Sequence, residues 1–213
     1  CLAPQINKSC HNYAMRFDSW DEFNENTKNN PPRSLCQEAV ELVAIKNRAL
    51  DVGAGALNDA KYLLSKGFSV LAIDFNPSVI GIAATIDNPR LQAAVVNLEE
   101  YRPPPNTFDY INAMFVLPFV KTNTFNAVFD GLYGSLAQDG VMAFQLFGDQ
   151  DEWANVPANE RFHKNMTFLT KTQVDKLLAD KNVIKCEETI KDDRLANGDI
   201  KSWHQFNIIL IKN

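Results

Sequence analysis

The sequence predicts an α/β fold of the Rossmann-like kind, with a doubly wound, mostly parallel sheet of seven strands and helices on both faces. Two observations carry this prediction. From Arg48 onward, short apolar segments typical of strands alternate with segments of helical periodicity, an order that gives right-handed crossovers and a parallel sheet. No helix separates the last two strands, so these two strands are expected to pair antiparallel at the sheet edge.

Each element follows from its local pattern. Strands are predicted at residues 49–52, 68–73, 91–96, 110–114, 141–147, 183–189 and 206–211. Helices are predicted at residues 59–66, 77–86, 123–137 and 171–180. Gly67 suits the C-terminal end of the first of these helices, and Thr170 or Thr172 suits the N-terminal cap of the last.

Residues 1–45 are expected to form an N-terminal cap or lid before a domain of residues 46–213. The segment is polar, rich in Asn and aromatic residues, and interrupted by two consecutive prolines after Asn30. Residues 20–27 fit a short helix capped by Asp18 or Ser19. Ser34 with Gln37 fits the capping box of a second helix. Such a segment can close over a crevice or pack as a helix on the sheet edge, and the sequence leaves both open.

Composition limits the partners. The net charge of −5 lacks the basic surface expected of a protein that binds nucleic acid. No apolar run approaches the roughly 20 residues of a membrane-spanning helix. The four cysteines are scattered without a CxxC pair, which favours reduced thiols in the cytoplasm over a disulfide framework or a metal site. A lipid anchor on Cys1 after signal cleavage is the alternative localisation.

A glycine-containing turn follows the first predicted strand. Glycines such as Gly53 and Gly55 let the backbone approach a ligand closely and adopt positive φ angles. Asp74 comes nineteen residues after Gly55, at the end of strand two, where a carboxylate can accept hydrogen bonds from both ribose hydroxyls of a nucleoside. Asp74 could instead cap the helix that begins at Pro77.

The same pattern fits two cofactors. A dinucleotide fingerprint needs a third glycine at the sixth position counted from Gly53, where this chain has Asn58. S-adenosylmethionine (SAM) has a methionine tail instead of a pyrophosphate, so it needs a tight turn and an acid for its ribose but no phosphate cradle. The sequence therefore favours SAM over NAD, and an NAD-dependent oxidoreductase stays the weaker alternative.

Residues 49–59 (ALDVGAGALND) and 70–77 (VLAIDFNP) resemble the first two motifs of the class I SAM-dependent methyltransferases. The nearest likeness is to the small bacterial subgroup that includes the tellurite-resistance-type enzymes. The resemblance implies methyl transfer from SAM, with S-adenosylhomocysteine (SAH) as the product. Leu57 stands where the family has a third glycine, and this departure keeps a SAM- or SAH-binding module without turnover as an alternative.

The resemblance also implies a set of cofactor residues. Asp51 and the glycines would lie along the methionine part, Asp74 would bind the ribose, and Phe75 would pack beside the adenine. Asn97 would meet the adenine amino group, although a plain turn residue is an equal interpretation. Residues 112–115 would line the methionine tail and the methyl group. The full predicted set is Asp51, Gly53, Ala54, Gly55, Asp74, Phe75, Asn97, Leu98, Met114 and Phe115.

A small-molecule acceptor is predicted, because no appended domain or basic face is present to hold a macromolecule. Arg33 is a candidate partner of the methionine carboxylate, and His163 is the least implausible base, but no catalytic residue is assigned. No residue cluster suggests a metal site. Trp153 either lines the acceptor pocket or staples a surface loop. The predicted acceptor residues are Tyr13, Trp20, Arg33, Phe147, Trp153 and His163.

Overall fold

The computed structural model of the protein describes residues 20–157, 164–195 and 198–213. Its helices are α1 (Trp20–Thr27), α2 (Ser34–Val40), α3 (Asn58–Ser65), α4 (Ser78–Ala84), α5 (Phe125–Ser135) and α6 (Lys171–Leu178). Its strands are β1 (Arg48–Val52), β2 (Ser69–Asp74), β3 (Leu91–Val95), β4 (Phe108–Ala113), β5 (Leu136–Gly148), β6 (Phe168–Leu169), β7 (Asn182–Arg194) and β8 (Ile200–Ile211). Short 3₁₀ turns follow β4 at Leu117–Phe119 and β5 at Glu152–Ala154.

The strands form one mixed sheet in the order β3-β2-β1-β4-β5-β8-β7, and β6 pairs with the end of β5. β1 to β5 are parallel, whereas β8 runs antiparallel to both β5 and β7. The predicted fold, with its antiparallel final strand, is confirmed, and the two-residue β6 is an addition to it. From β1 the chain adds β2 and β3 on one side of the sheet, and β4 and β5 on the other. Doubly wound sheets open a ligand crevice at the point where the strand order reverses in this way, here between β1 and β4.

Apolar side chains cover both faces of the sheet. On one face, α5 and α6 pack on a cluster that includes Phe129, Phe144 and Phe206. On the other face, α2, α3 and α4 pack on a cluster that includes Leu57 and Tyr110. Helix α1 contributes no buried residue to either cluster. The sheet is therefore buried by helices on both sides, as the alternating sequence pattern predicts.

Two helix ends test the capping predictions. Thr170 caps α6 in a complete capping box with Gln173, as predicted. The prediction for Ser34 is wrong, because Ser34 is the first residue of α2 and Arg33 occupies the cap position without a side-chain hydrogen bond. Gln37 instead donates from Nε2 to the carbonyl of Pro32 at 2.9 Å. The proposed cap of α1 at Asp18 or Ser19 lies outside the described residues.

Strand β5 begins earlier than predicted, directly after α5. The predicted helix of residues 123–137 is shortened to Phe125–Ser135. Phe108 pairs with Leu136 and Tyr110 with Val141, so the register shifts within this stretch. Asp139 has a φ of 61° in this stretch. The start of β5 is therefore irregular, and the alternation of apolar and polar residues does not predict such an irregularity.

The β7–β8 hairpin is much longer than predicted. β5 pairs with β8 only as far as Phe147 opposite Gln205. Beyond that point β7 and β8 continue as a two-stranded ribbon, in which Lys191 faces Trp203 and Arg194 faces Ile200. We call residues 190–194 and 200–204 the ribbon arm. Because β5 ends at the edge of the sheet where the parallel strands have their carboxyl ends, the arm projects past that edge.

Within the part of the chain that the structure describes, no helix has the length and apolar character needed to cross a membrane.

Candidate active site

A crevice of about 1280 Å³ opens at the carboxyl ends of the parallel strands. The glycine turn after β1, the end of β2 and the segment after β4 form its cofactor half, while β5, β7 and β8 form the opposite half. Drug-sized ligands usually occupy pockets of about 300–1,000 Å³. The crevice therefore has room for a nucleoside cofactor together with a second small molecule.

The turn after β1 requires both of its glycines. Gly53 has a φ of +66° and Gly55 a φ of +48°, in the left-handed region. A Cβ on Gly53 would lie 2.7 Å from the Cβ of Val116, and a Cβ on Gly55 would lie 3.0 Å from Asn24 Oδ1. The chain thus passes close to two neighbouring segments here, and only glycine fits without displacement.

Leu57 occupies the position of the missing third glycine without changing the backbone path. Its φ of 62° and ψ of 25° lie in the left-handed region that glycine favours, at a cost of roughly 1–2 kcal/mol for a residue with a Cβ. The side chain is fully buried in the cluster beneath α3 and does not line the crevice. The departure from the family pattern is therefore absorbed by the core and leaves the crevice open.

Asp74 joins the turn to the end of β2. Its Oδ2 accepts a 2.8 Å hydrogen bond from the Gly55 N–H, and its Oδ1 accepts one of 2.8 Å from the Asn76 N–H. Burial raises the pKa of this carboxyl, and the backbone N–H groups of Asn76, Gly55 and Phe75 oppose that shift. Asp74 is not the cap of α4, because the Ser78 N–H is bound by Asn76 Oδ1. Each Asp74 oxygen keeps a further lone pair for a ligand hydroxyl.

Asp51 offers a buried carboxylate oxygen without a partner. Only 2% of Asp51 is exposed, and its Oδ1 accepts a 2.8 Å hydrogen bond from Asn112 Nδ2. Its Oδ2 is buried and has no hydrogen-bond partner among the described residues. Burial raises the pKa of Asp51 well above its ordinary value, and the nearby Asp59 raises it further. An ammonium group placed here would satisfy the free oxygen, as the methionine end of SAM requires.

Asn112 and Asp59 extend this network. Asn112 Nδ2 also donates to Asp59 Oδ2 at 3.0 Å, and its Oδ1 accepts from the Tyr110 hydroxyl at 3.1 Å. Asp59 Oδ1 accepts a 2.7 Å hydrogen bond from the Arg33 N–H. Asp59 was not among the predicted site residues, because its position on the first turn of α3 also suits a helix-dipole role.

Arg33 lies beside the acidic network. Its guanidinium stands 4.9 Å from the ring centroid of Phe115, within the range of a cation–π contact. Phe115, the second residue after β4, has a φ of 54°, a strained conformation that often marks a ligand site. The predicted residues Arg33, Met114 and Phe115 are thus brought together along one side of the crevice.

The two residues predicted beside the adenine have different surroundings. Phe75 is 57% exposed at the end of β2 and contacts Trp20 edge-on at a centroid distance of 5.7 Å. Asn97 uses its amide within its own turn, accepting from the Glu99 N–H at 3.1 Å and donating to Glu100 Oε1 at 3.1 Å. Both Asn97 and Leu98 line the crevice. Adenine contact through Asn97 stays a prediction, and the geometry is also that of a turn residue.

Helix α1 lies across the mouth of the cofactor half. The ring of Trp20 contacts those of Phe23, Phe75 and Phe119 at centroid distances of 5.4–5.8 Å. Asn24 Nδ2 donates to Ser78 Oγ at 3.1 Å, which ties α1 to the first residue of α4. Trp20 therefore stands over the middle of the crevice. Three residues with predicted roles, Cys1, Tyr13 and His163, lie outside the described residues.

Aromatic rings enclose the opposite half of the crevice. Trp153 packs against Phe147 at 5.9 Å and against Trp203 at 5.5 Å, and Trp203 also contacts Phe115 at 5.8 Å. Trp153 is only 5% exposed, so the interpretation of a surface staple is wrong. Sequence reasoning missed Trp203 because it placed residues 192–202 in a connection and began the last strand at Phe206.

A buried ion pair supports this aromatic wall from behind. Lys201 Nζ lies 2.6 Å from both carboxylate oxygens of Asp151 and 3.6 Å from the ring centroid of Trp203. Burial lowers the pKa of Lys201 to about 8, against the opposing effect of Asp151. Burial likewise raises the pKa of Asp151. The pair is fully enclosed, so it positions the wall and does not reach the crevice directly.

Across residues 20–157, 164–195 and 198–213, no three His, Cys, Asp or Glu side chains are arranged to hold a metal ion.

Comparisons with known proteins agree with this geometry. Residues 49–140 match the family model described as a methyltransferase domain. TehB from Haemophilus influenzae superposes with a TM-score of 0.71 at 13% identity, over 91% of this chain and 66% of TehB. This chain thus spans slightly less than two thirds of TehB. None of the curated proteins matches the sequence significantly.

Two further solved structures share the fold. A SAM-dependent methyltransferase from Methanosarcina mazei gives a TM-score of 0.63 at 18% identity, over 85% of this chain and 98% of that one. The second is the 1,6-didemethyltoxoflavin-N1-methyltransferase of Burkholderia thailandensis, which was solved with 1,6-didemethyltoxoflavin and SAH bound. It gives a TM-score of 0.60 at 17% identity, over 84% of this chain and 79% of that one. Residues 49–140 therefore match a methyltransferase domain, and the fold of the chain is similar to that of SAM-dependent methyltransferases.

Proposed function

We propose that this chain transfers the methyl group of SAM to a small-molecule acceptor bound in the second half of the crevice. The observation that carries the proposal is the pair of carboxylates at one crevice. Asp51 has a buried oxygen free to bind an ammonium, and Asp74 has lone pairs free to bind ribose hydroxyls. A nucleoside bearing an amino acid tail, which is what SAM is, matches both groups at once.

The residues divide the work of binding. Asp51 would hold the methionine ammonium, and the Arg33 guanidinium, above the Phe115 ring, is placed to pair with the methionine carboxylate. Asp74 would hold the ribose, and Phe75 would pack beside the adenine. The glycine turn would let the backbone approach the tail. The position of these side chains in the lining of the crevice supports the assignments, which the family resemblance implies.

Bound SAM supplies a methyl group made electrophilic by its sulfonium, and its transfer to a nucleophile's lone pair leaves SAH as the C–S electron pair returns to sulfur. The protein's task is then to align the acceptor and exclude water. The rings of Phe115, Phe147 and Trp203 form an apolar boundary on the acceptor side. Helix α1 covers the cofactor side through Trp20.

A small acceptor fits the enclosure of the site better than a macromolecule. The ribbon arm and α1 border the crevice on two sides, and the net charge of −5 offers no basic surface for nucleic acid. The described cysteines, Cys36 and Cys186, are both free thiols. Together with the dependence on SAM, this supports a cytoplasmic location.

The competing proposal is a module that binds SAM or SAH without turnover, and the sequence feature behind it is Leu57. The left-handed backbone at Leu57 and its burial away from the crevice weaken that case. An NAD-dependent function is weaker still. Asn58, at the position where a dinucleotide fingerprint has glycine, donates to the Thr27 carbonyl and fastens α1 over this turn.

A ligand panel tests the proposal. SAM and SAH are expected to raise the melting temperature, by the equivalent of about 2.7 kcal/mol at roughly 100 times Kd, whereas NAD and NADP should not. SAH release in the presence of a small-molecule acceptor panel then separates an enzyme from a binding module. Stabilisation by NAD alone would overturn the cofactor assignment, and tight SAM binding with no SAH release for any acceptor would favour the module.

A further inference from the structure

The acceptor half of the crevice has a floor of neutral polar side chains. Gln145 on β5 pairs with Asn207 on β8, and Gln205 on β8 pairs with Thr189 on β7. Side chains alternate along each strand, so all four share one face of the sheet with the apolar Ala143. That face changes from apolar beneath α2 to amide and hydroxyl where it enters the crevice. We call these four residues the polar floor.

Two atoms of the polar floor are buried and unsatisfied. Gln145 is 8% exposed and donates from Nε2 to Asn207 Oδ1 at 2.7 Å. That bond leaves Gln145 Oε1 as an acceptor with no partner among the described residues. The buried Thr189 Oγ likewise has no hydrogen-bond partner among them. Native proteins rarely leave such groups unpaired, because the cost of desolvation is not recovered. A ligand whose N–H or O–H group donates to these oxygens would offset this desolvation cost.

The charged side chains around the polar floor are already paired with one another. Lys185 contacts Glu38 at 2.7 Å and Glu187 at 3.5 Å, and Lys191 contacts Asp193 at 2.9 Å. The four floor residues carry no charge themselves. Because the floor itself is uncharged and the neighbouring Lys185 and Lys191 are ion-paired, the floor favours a neutral ligand.

Beside the polar floor, the same face of the sheet becomes aromatic at Phe147 and Trp203. Phe115 and Trp203 are partly exposed to the crevice, and their centroids lie 5.8 Å apart. Phe147 lies 5.9 Å from Phe115 and 5.5 Å from Trp203 and is itself almost fully buried. Partly exposed rings at this spacing offer faces and edges to another ring. A planar ring that contacts these aromatic rings would bring its edge beside the hydrogen-bonding groups of the floor.

From these observations we propose that the acceptor is a neutral, planar aromatic or heteroaromatic molecule whose N–H or O–H group donates to Gln145 Oε1. Gln145 is then a specificity-determining residue, and Thr189 is its second polar contact. The proposal rests on the proposed function, because it places the acceptor in the crevice shared with SAM. It adds the chemical class of the acceptor and the residue that selects it.

Matched probes test the proposal in the full chain saturated with SAH. Indole is compared with N-methylindole, phenol with anisole, and cyclohexanol serves as a donor without a planar ring. Binding is measured by ligand-detected NMR titration. We expect indole and phenol to bind about tenfold more tightly than their methylated counterparts, the effect of one hydrogen bond to a buried acceptor, and cyclohexanol to bind most weakly.

Variants locate the effect. Gln145→Leu should remove the preference for indole over N-methylindole while leaving SAH affinity unchanged, and Thr189→Val should reduce indole affinity about threefold. Gln92→Leu changes a glutamine on β3 that does not line the crevice and should behave as the parent protein. Two results would overturn this proposal alone, provided that SAH binds normally. One is that the parent protein shows no preference for indole over N-methylindole, and the other is that Gln145→Leu keeps this preference. Loss of SAH binding in the parent protein would overturn the proposed function instead.

Discussion

The backbone N–H of Gly55 donates a 2.8 Å hydrogen bond to Oδ2 of Asp74. This bond joins two motifs that lie nineteen residues apart in the sequence, the turn after β1 and the acid at the end of β2. The other oxygen of Asp74 accepts from Asn76, so the carboxylate is fixed on both sides. The group proposed to hold the ribose is therefore preorganised by the same turn that borders the methionine tail.

The left-handed backbone at Leu57 predicts an unusual order of stability for two variants. Leu57→Ala removes a fully buried side chain, at a cost of about 2–5 kcal/mol. Leu57→Gly removes the same side chain but relieves roughly 1–2 kcal/mol of strain at a φ of 62°. Urea denaturation should therefore find the glycine variant more stable than the alanine variant. The opposite order would show that the backbone at Leu57 is not left-handed in solution.

The Lys201–Asp151 pair predicts a rescue. Lys201→Met leaves a carboxylate buried without its cation, so we expect a loss of about 3–5 kcal/mol in the free energy of unfolding. Adding Asp151→Asn removes the isolated charge and keeps an oxygen that can accept from the Trp153 N–H, as Asp151 Oδ1 does. The double variant should be more stable than Lys201→Met alone in chemical denaturation. Additive losses would contradict a coupled buried pair.

Titration of Lys201 should be visible in tryptophan fluorescence. Its pKa is lowered from 10.5 to about 8, and its ammonium stands 3.6 Å from the Trp203 centroid. We expect a fluorescence transition with a midpoint near pH 8 that disappears in Lys201→Met. Between the two pKa values the unfolded chain holds a proton that the folded chain has lost. The contribution of Lys201 to stability therefore rises from about pH 8 to 10.5. An identical transition in the variant would contradict this assignment.

Deletion of residues 1–30 tests whether α1 is a cover or part of the core. Helix α1 is tied to the site by polar contacts, from Asn24 to Ser78 and from Asn76 to Asp21, and it adds no buried residue to the two main clusters. The truncated chain is expected to fold, to bind SAM more weakly and to lose turnover. Circular dichroism and SAM titration measure the two effects. An insoluble or molten product would show that the segment is structural.

The cofactor half of the site could be predicted because its signals are local. Gly53, Gly55 and Asp74 each stand at a strand end where the pattern of apolar residues stops, and parallel strands bring such ends together. The short helix at Trp20–Thr27 was also predicted within its bounds, since the prolines after Asn30 limit it. The residue types at these turns, rather than any long-range contact, carry the information.

In the acceptor half, Phe147 and Trp153 were predicted, but the polar floor and the buried ion pair could not be, because their residues are distant in sequence. Gln145 and Asn207 are 62 residues apart and interrupt apolar runs without any turn signal. Lys201 and Asp151 are 50 residues apart, and only tertiary packing decides that both are buried. The length of the β7–β8 ribbon depends on pairing between two strands that are polar at this end. The pattern of apolar residues therefore does not predict how far the pairing extends.

Calorimetric titration of SAM into the parent protein and into Asp74→Ala tests whether the crevice binds SAM and whether Asp74 holds its ribose. Loss of hydrogen bonds to a charged acceptor typically costs about 1.5–3 kcal/mol, so the Kd should rise about ten- to a hundredfold. Asp109→Ala is the matched control, because Asp109 also accepts a backbone N–H, from Arg48, but does not line the crevice. We expect weakened SAM binding in Asp74→Ala alone. Equal SAM affinity in all three proteins, or no SAM binding by the parent protein, would contradict it.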